Sequence, residues 1–200
     1  MPVFAQDDEK KPEPTIMTSN GPTSWILKGN KIYFLKWDQS FKQTQVYGPE
    51  ELDRNNDDPA ESLLMDGTGN SVWVLKDKDL YYVTAKQEGS FVTLRVEQPE
   101  ELPDAEMSDP AMMTASGSNA WIIKGEKIYH IKWDHAFGKV QISGPEELDY
   151  NDYGPAKPFL MKGGGNALWI LRGNEVYYVT ARYDGSFVDI EIEHPEELPE

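Results

Sequence analysis

The sequence predicts an all-β fold: a four-bladed β-propeller of four 48-residue, four-stranded repeats alternating in two types. Three observations carry that expectation. Tryptophans recur at 25, 73, 121 and 169, tyrosines at 33, 81, 129 and 177, and methionines at 17, 65, 113 and 161, each series stepping by 48. Self-similarity at a fixed period of this size marks a repeat architecture. Each repeat then divides into short apolar runs punctuated by Gly, Asn and Ser, which suits strands and leaves no room for long helices. Finally, polarity rises along each repeat, giving a dry middle and a wet outer strand, as expected where sheets stack radially and cover each other's faces. A solenoid has no need of a charged outer strand in every repeat, and a β-trefoil would need three repeats.

Residues 1–15 form an N-terminal segment and linker. Pro2-Val3-Phe4-Ala5 is apolar, and Gln6 to Thr15 is charged and proline-rich without periodicity, as in an extended linker. The propeller occupies 16–200, with blades at about 16–61, 62–109, 110–157 and 158–200. The innermost strand of each is the methionine segment, such as Leu63-Leu-Met-Asp66, followed by a turn such as Gly67-Thr-Gly-Asn70. Trp25-Ile-Leu27 and its copies make the second strand. A hairpin such as Gly29-Asn30 or Gly173-Asn174 leads into the third, Ile32-Tyr-Phe-Leu35 or Val176-Tyr-Tyr-Val179. These two strands are apolar at almost every position, which predicts burial on both faces. The fourth strand alternates: Val188, Ile190 and Ile192 are interleaved with Asp189, Glu191 and Glu193, the pattern of a half-exposed edge. Proline with two acids opens Pro49–Leu52, Pro99–Leu102, Pro145–Leu148 and Pro195–Leu198. That pattern suits a helix start, but a loop anchored to its blade by the leucine is the preferred reading.

The repeats alternate. Lys36-Trp37-Asp38 and Lys132-Trp133-Asp134 follow the third strand in the first and third repeats, where the second and fourth carry Val83-Thr84-Ala85 and Val179-Thr180-Ala181. Phe41, Phe91, Phe137 and Phe187 are spaced 50, 46 and 50, so the pattern recurs every 96 residues. A duplicated two-blade unit is implied. One chain is expected to close its own ring, the rival being an eight-bladed ring shared by two chains. Trp25, Trp73, Trp121 and Trp169 are expected to be buried and equivalent.

Gly29-Asn-Lys-Ile-Tyr-Phe-Leu35 and Gly173-Asn-Glu-Val-Tyr-Tyr-Val179 resemble the repeat of bacterial β-propeller proteins with quinoprotein-like or Trp-Asp-like repeats. In size the four blades resemble a hemopexin domain, a family that closes its ring with a disulfide; this chain has no cysteine. The resemblance implies a fold and brings no functional residue with it.

The 35 acidic and 19 basic residues give a net charge of −16, which disfavours nucleic acid and anionic membrane as partners. No apolar run approaches the ~18–20 residues needed to cross a bilayer, so no membrane insertion is expected. Without cysteine there is no thiolate metal site or thiol nucleophile. The acidic crossovers hold Asp53, Asp57, Asp149 and Asp152, sharing a face with hairpin cations such as Lys76 and Lys124, a candidate binding surface of loops on a rigid scaffold. Asp53 to Asp57 has the spacing of oxygen ligands in calcium loops, but the glycine and the bidentate glutamate that complete such a loop are missing, so solvated carboxylates are the preferred reading. The four methionines are read as core packing and not as a thioether metal site. Trp37 and Trp133 are candidates for stacking on a sugar ring or a partner, or for filling the gap left at Thr84 and Thr180. His135, in a turn, is read as a surface histidine. No serine–histidine–aspartate order, HExxH or phosphate loop is present, so no enzyme, cofactor or metal is predicted.

These readings converge on a non-catalytic structural or protein-interaction module. Val3-Phe4-Ala5 before Gln6 resembles the end of a secretory signal, which makes a secreted or cell-surface bacterial protein the expected setting. Val3 and Phe4 are the candidate self-association residues: an inserted N-terminal strand would link subunits into a homo-oligomer or filament. A carbohydrate- or small-ligand-binding, lectin-like propeller using Trp37, Trp133 and the acidic loops is the alternative, with a glycan or protein as partner.

Overall fold

The computed structural model describes residues 14–52, 63–89, 91–106, 109–148, 159–184, 187–193 and 195–198. These form four antiparallel sheets and no helix. The first contains β1 (Thr15–Asn20), β2 (Thr23–Lys28), β3 (Lys31–Asp38) and β4 (Gln43–Glu51), paired in that order. The second contains β5 (Leu63–Thr68), β6 (Ser71–Lys76), β7 (Asp79–Glu88) and β8 (Phe91–Val96), with β9 (Glu100–Glu101) added on β7. The third is β10 (Ala111–Ser116), β11 (Asn119–Lys124), β12 (Lys127–Asp134) and β13 (Lys139–Glu147). The fourth is β14 (Phe159–Gly164), β15 (Ala167–Arg172), β16 (Glu175–Asp184) and β17 (Phe187–Ile192), with β18 (Glu196–Glu197) on β16.

The two repeat types differ in how the outer strand ends. In the first and third sheets it runs on as one strand across a register shift, between Ile32 and Phe34 and again between Ile128 and His130. Gly48 and Gly144 make that passage, both at φ +100°, where a Cβ would lie 2.8 Å from the Ile32 carbonyl oxygen or 2.6 Å from that of Ile128. Only glycine fits both the dihedral and the approach. The second and fourth sheets break the strand instead, into β8 and β9 and into β17 and β18. No helix forms at the proline–acid–acid–leucine segments. Three of their four leucines are anchors: Leu52, Leu102 and Leu148 are buried, each in a different core cluster, whereas Leu198 is exposed.

The sheets pack in chain order through their faces. Innermost strands approach one another, β1 against β5, β5 against β10 and β10 against β14. Three core clusters fill the three joints. Trp25, Leu27 and Phe34 of the first sheet meet Val72, Val74 and Tyr81 of the second. Trp73, Leu75 and Tyr82 meet Ile122, Tyr129 and Ile131. Trp121, Ile123 and Ile128 meet Leu168, Ile170 and Tyr177. Each sheet therefore turns its tryptophan face to the next sheet and its tyrosine face to the one before. Among the described residues no fourth cluster joins the last sheet to the first. The expectation that all four tryptophans are buried is accordingly corrected: Trp25, Trp73 and Trp121 are, but Trp169 is 55% exposed because no sheet among the described residues covers its face.

Candidate functional site: two open sheet faces and a groove at Trp133

Each tryptophan sits opposite an aromatic ring on the next strand and packs on it. The ring centroids of Trp25–Phe34, Trp73–Tyr82, Trp121–His130 and Trp169–Tyr178 are 4.7, 4.5, 4.6 and 4.6 Å apart. Indole N–H groups then reach across the joints. Trp25 donates to the Gly69 carbonyl at 3.1 Å, Trp73 to Gly117 at 3.2 Å and Trp121 to Gly165 at 3.2 Å. Trp169 makes no such bond to a described residue. Asp66, on the innermost strand β5, ties three sheets together, accepting from the Thr18 hydroxyl at 3.4 Å and the Ala115 amide at 2.8 Å.

Among the described residues, the two outer faces of the stack are left uncovered. On the first sheet Met17, Trp37 and Val46 are exposed and Ile26, Tyr33 and Leu35 half-buried. On the last, Leu160, Trp169 and Leu198 are exposed and Leu171, Val176 and Tyr178 half-buried. The same positions inside the stack are covered: Ile122, Tyr129 and Ile131 are fully buried. The methionines follow this rule, with Met65 buried, Met113 and Met161 partly buried in successive joints and Met17 exposed, which is the behaviour of packing residues and not of a metal ring. Lys28 is likewise exposed, where Lys76, Lys124 and Arg172 are buried. A separate apolar set, Phe41, Phe91 and Phe137, stands exposed at the outer hairpins.

Trp37 and Trp133, expected as a matched pair, lie on different sheets in unlike settings. Trp37 is 45% exposed on the open face of the first sheet, whereas Trp133 is 7% exposed and stacks on Tyr82 of the preceding sheet at 5.1 Å and 27°. The gap-filling alternative needs a shift of one residue. The amides of Trp37, Ala85, Trp133 and Ala181 bond equivalent turn carbonyls, so Ala85 and Ala181, not Thr84 and Thr180, occupy the corresponding places. A groove of about 560 Å³ opens beside Trp133, lined by Thr84, Lys86, Thr93, Arg95, Glu97 and His135 among others. Arg95 and Glu97 pair across 2.7 Å within it. Burial pushes the Tyr82 hydroxyl above its ordinary range, so it stays protonated and able to donate.

Hairpin cations and crossovers do share one face. Lys124 donates to the Asp109 carbonyl at 3.2 Å and Lys127 to that of Asp104 at 2.6 Å. Burial lowers the Lys124 pKa, partly offset by the nearby carboxylates of Asp109 and Asp77. Burial also pushes Tyr129 up to about 12, and its hydroxyl donates to the Pro103 carbonyl at 2.8 Å. Asp53, Asp57, Asp149, Asp152, Val3 and Phe4 all lie outside the described residues. Among the described residues, no cluster of His, Asp or Glu is placed to hold a metal ion, and no helix is long and apolar enough to cross a membrane.

Among the described residues the arrangement is all-β, four face-packed antiparallel sheets. No family model matches the chain, and none of the curated proteins does. Its structure is similar to that of a protein from Lactobacillus plantarum, with a TM-score of 0.54 at 13% identity, over 92% of this chain and 57% of the other. That likeness concerns the fold alone, and this chain spans little more than half the length of the protein it resembles.

Proposed function

We propose that the four sheets are consecutive blades of a β-propeller and that the protein is a non-catalytic structural or interaction module, working through contact with another polypeptide. The observation that supports this reading is the pair of open apolar faces at the two ends of the stack. Contiguous exposed apolar surface on a rigid scaffold is the mark of a protein contact, because leaving it in water is unfavourable and monomers rarely keep it. The faces are built from sheet positions whose counterparts inside the stack are core, so they are shaped to be covered. Sedimentation velocity over a wide concentration range, with an apolar dye as reporter, tests the reading. Dye binding at low concentration that fades as a larger species forms is expected. A protein that binds no dye and stays monomeric at high concentration would overturn it.

A second reading, a carbohydrate- or small-ligand-binding propeller, draws support from the groove beside Trp133, where Thr93, Arg95 and Glu97 offer hydrogen-bonding groups. The burial of Trp133 leaves little ring surface for a sugar, which ranks this reading second. Titration of a glycan panel against the protein and its Thr93→Ala variant separates the two.

A further inference from the structure

Resting on that reading, we infer that the partner is a second copy of this chain, joined through both ends to close an eight-bladed ring with two-fold symmetry. The repeats alternate with a 96-residue period, so a joint between the last sheet and a first sheet would be of the same kind as the joint between the second and third. That joint is present in the molecule and serves as a template. Adding 96 to Trp73 and Tyr82 gives Trp169 and Tyr178; subtracting 96 from Gly117 and Trp133 gives Gly21 and Trp37. The ring thus predicts that Trp169 donates to the partner copy's Gly21 carbonyl and that Tyr178 stacks on the partner copy's Trp37.

Both halves of this joint are already in the required geometry. Trp169 and Tyr178 lie 4.6 Å apart at 40°, against 4.5 Å and 41° for Trp73 and Tyr82. Gly21 and Gly117 both have φ +59°, so the acceptor turn is preformed. Side chains exposed at the ends are, position for position, those covered in the template: Met17 answers to Met113, Leu160 to Leu64 and Leu198 to Leu102. Six exposed residues, Met17, Trp37, Val46, Leu160, Trp169 and Leu198, present on the order of 600 Å² of apolar surface, given the ~150–250 Å² that large side chains carry. Ring closure makes two joints, which together reach the ~1,200–2,000 Å² of a stable interface. Alternation also requires an even number of blades, since an odd ring would bring two like blades together.

The new joint departs from its template at two polar contacts. Asp66 and Thr68 accept from Ala115 and Gly117 inside the stack, but Lys162 and Gly164 hold the corresponding places on the last sheet. The joint between copies is therefore weaker than the joints within one, as a reversible interface should be.

The test uses the absence of native cysteine. Ser19 and Lys162 occupy the positions of Ala115 and Asp66, which are in contact in the template. In the double variant Ser19→Cys, Lys162→Cys, oxidation is expected to give one product on a denaturing gel, a doubly linked dimer. Light scattering of the unmodified protein should give 45.4 kDa, twice the 22.7 kDa of one chain. A ladder of products would mean an open filament, and an internally linked monomer would mean a four-bladed ring. The ladder overturns the two-copy ring while leaving the interaction module standing; the internally linked monomer overturns both, because the two end faces would then cover each other. A monomeric mass with no link, in a variant whose circular dichroism is unchanged, would overturn the ring and assign the end faces to a different polypeptide; if the apolar dye also fails to bind, the module reading falls with it.

Discussion

The four repeat tryptophans are alike in sequence and in their aromatic partner, yet truncating them should not have like effects. Trp73 is fully buried, stacks on Tyr82 and donates to the Gly117 carbonyl. Trp73→Ala should therefore cost ~3–5 kcal/mol, the range for large-to-small changes at aromatic core positions. Trp169 keeps the stack on Tyr178 but has little more than half of its surface in water and no cross-joint hydrogen bond to a described residue. Burying roughly 100 Å² at ~25 cal/mol/Å² stabilises a dilute single chain by only about 2–3 kcal/mol. Urea unfolding at low protein concentration should show the difference, with Trp169→Ala the milder variant. The missing part should reappear in association, because a tryptophan at the centre of a desolvated interface typically contributes ~2 kcal/mol or more, about 30-fold in dissociation constant. Sedimentation of Trp169→Ala should thus show the assembly shifted to higher concentration. Equal unfolding costs for the two variants, or unchanged association of Trp169→Ala, would refute the argument that the last sheet has an open face.

Two further outcomes follow from single residues. His130 is buried against Trp121 with its Nε2 3.3 Å from the Gly165 carbonyl, and burial lowers its pKa from 6.5 to about 4. The unfolded chain binds this proton first, so stability present above pH 6.5 is lost as pH falls toward 4, by about 3 kcal/mol. Urea midpoints of the wild type and His130→Phe at pH 7.5 and 4.5 should show the flatter profile in the variant, Phe34 being the natural residue at the matching place. Gly144→Ala would set a Cβ against the Ile128 carbonyl at positive φ and should cost ~2 kcal/mol or more, whereas Gly21→Ala meets no atom within 4 Å and should cost ~1 kcal/mol; thermal unfolding at low concentration checks the pair.

Much of this architecture is legible in the chain itself. The 48-residue tryptophan series and the rise in polarity toward the fourth strand located the strands, and the 96-residue alternation marked two repeat types without showing that they differ in how the outer strand ends. The leucine anchors were readable because a single apolar residue follows two acids in each repeat. What escaped was context. Trp169 carries the same local pattern as Trp73, and no local pattern states whether another sheet covers it. The hints lay in the replacements at the ends: the acceptors Asp66 and Thr68 give way to Lys162 and Gly164, and the small apolar Ala115 and Ala120 to Ser19 and Ser24. The one-residue displacement at Thr84 arises because the third strand carries Thr-Ala where its neighbours carry Lys-Trp; the 48-residue step and the backbone pairing both align Ala85 with Trp37. The two tryptophans read as a matched pair separated in role for the same reason, one having a preceding sheet to pack on and the other none.

Hydrogen exchange at the indole N–H of Trp169, followed by NMR at low and high protein concentration, tests the central claim most directly. Trp25, Trp73 and Trp121 should be protected at both concentrations by their bonds to Gly69, Gly117 and Gly165. Trp169 should exchange freely in the dilute single chain and become as slow as Trp73 once two copies have closed the ring. Protection of Trp169 in a dilute monomer, or free exchange in the assembled protein, would contradict the account.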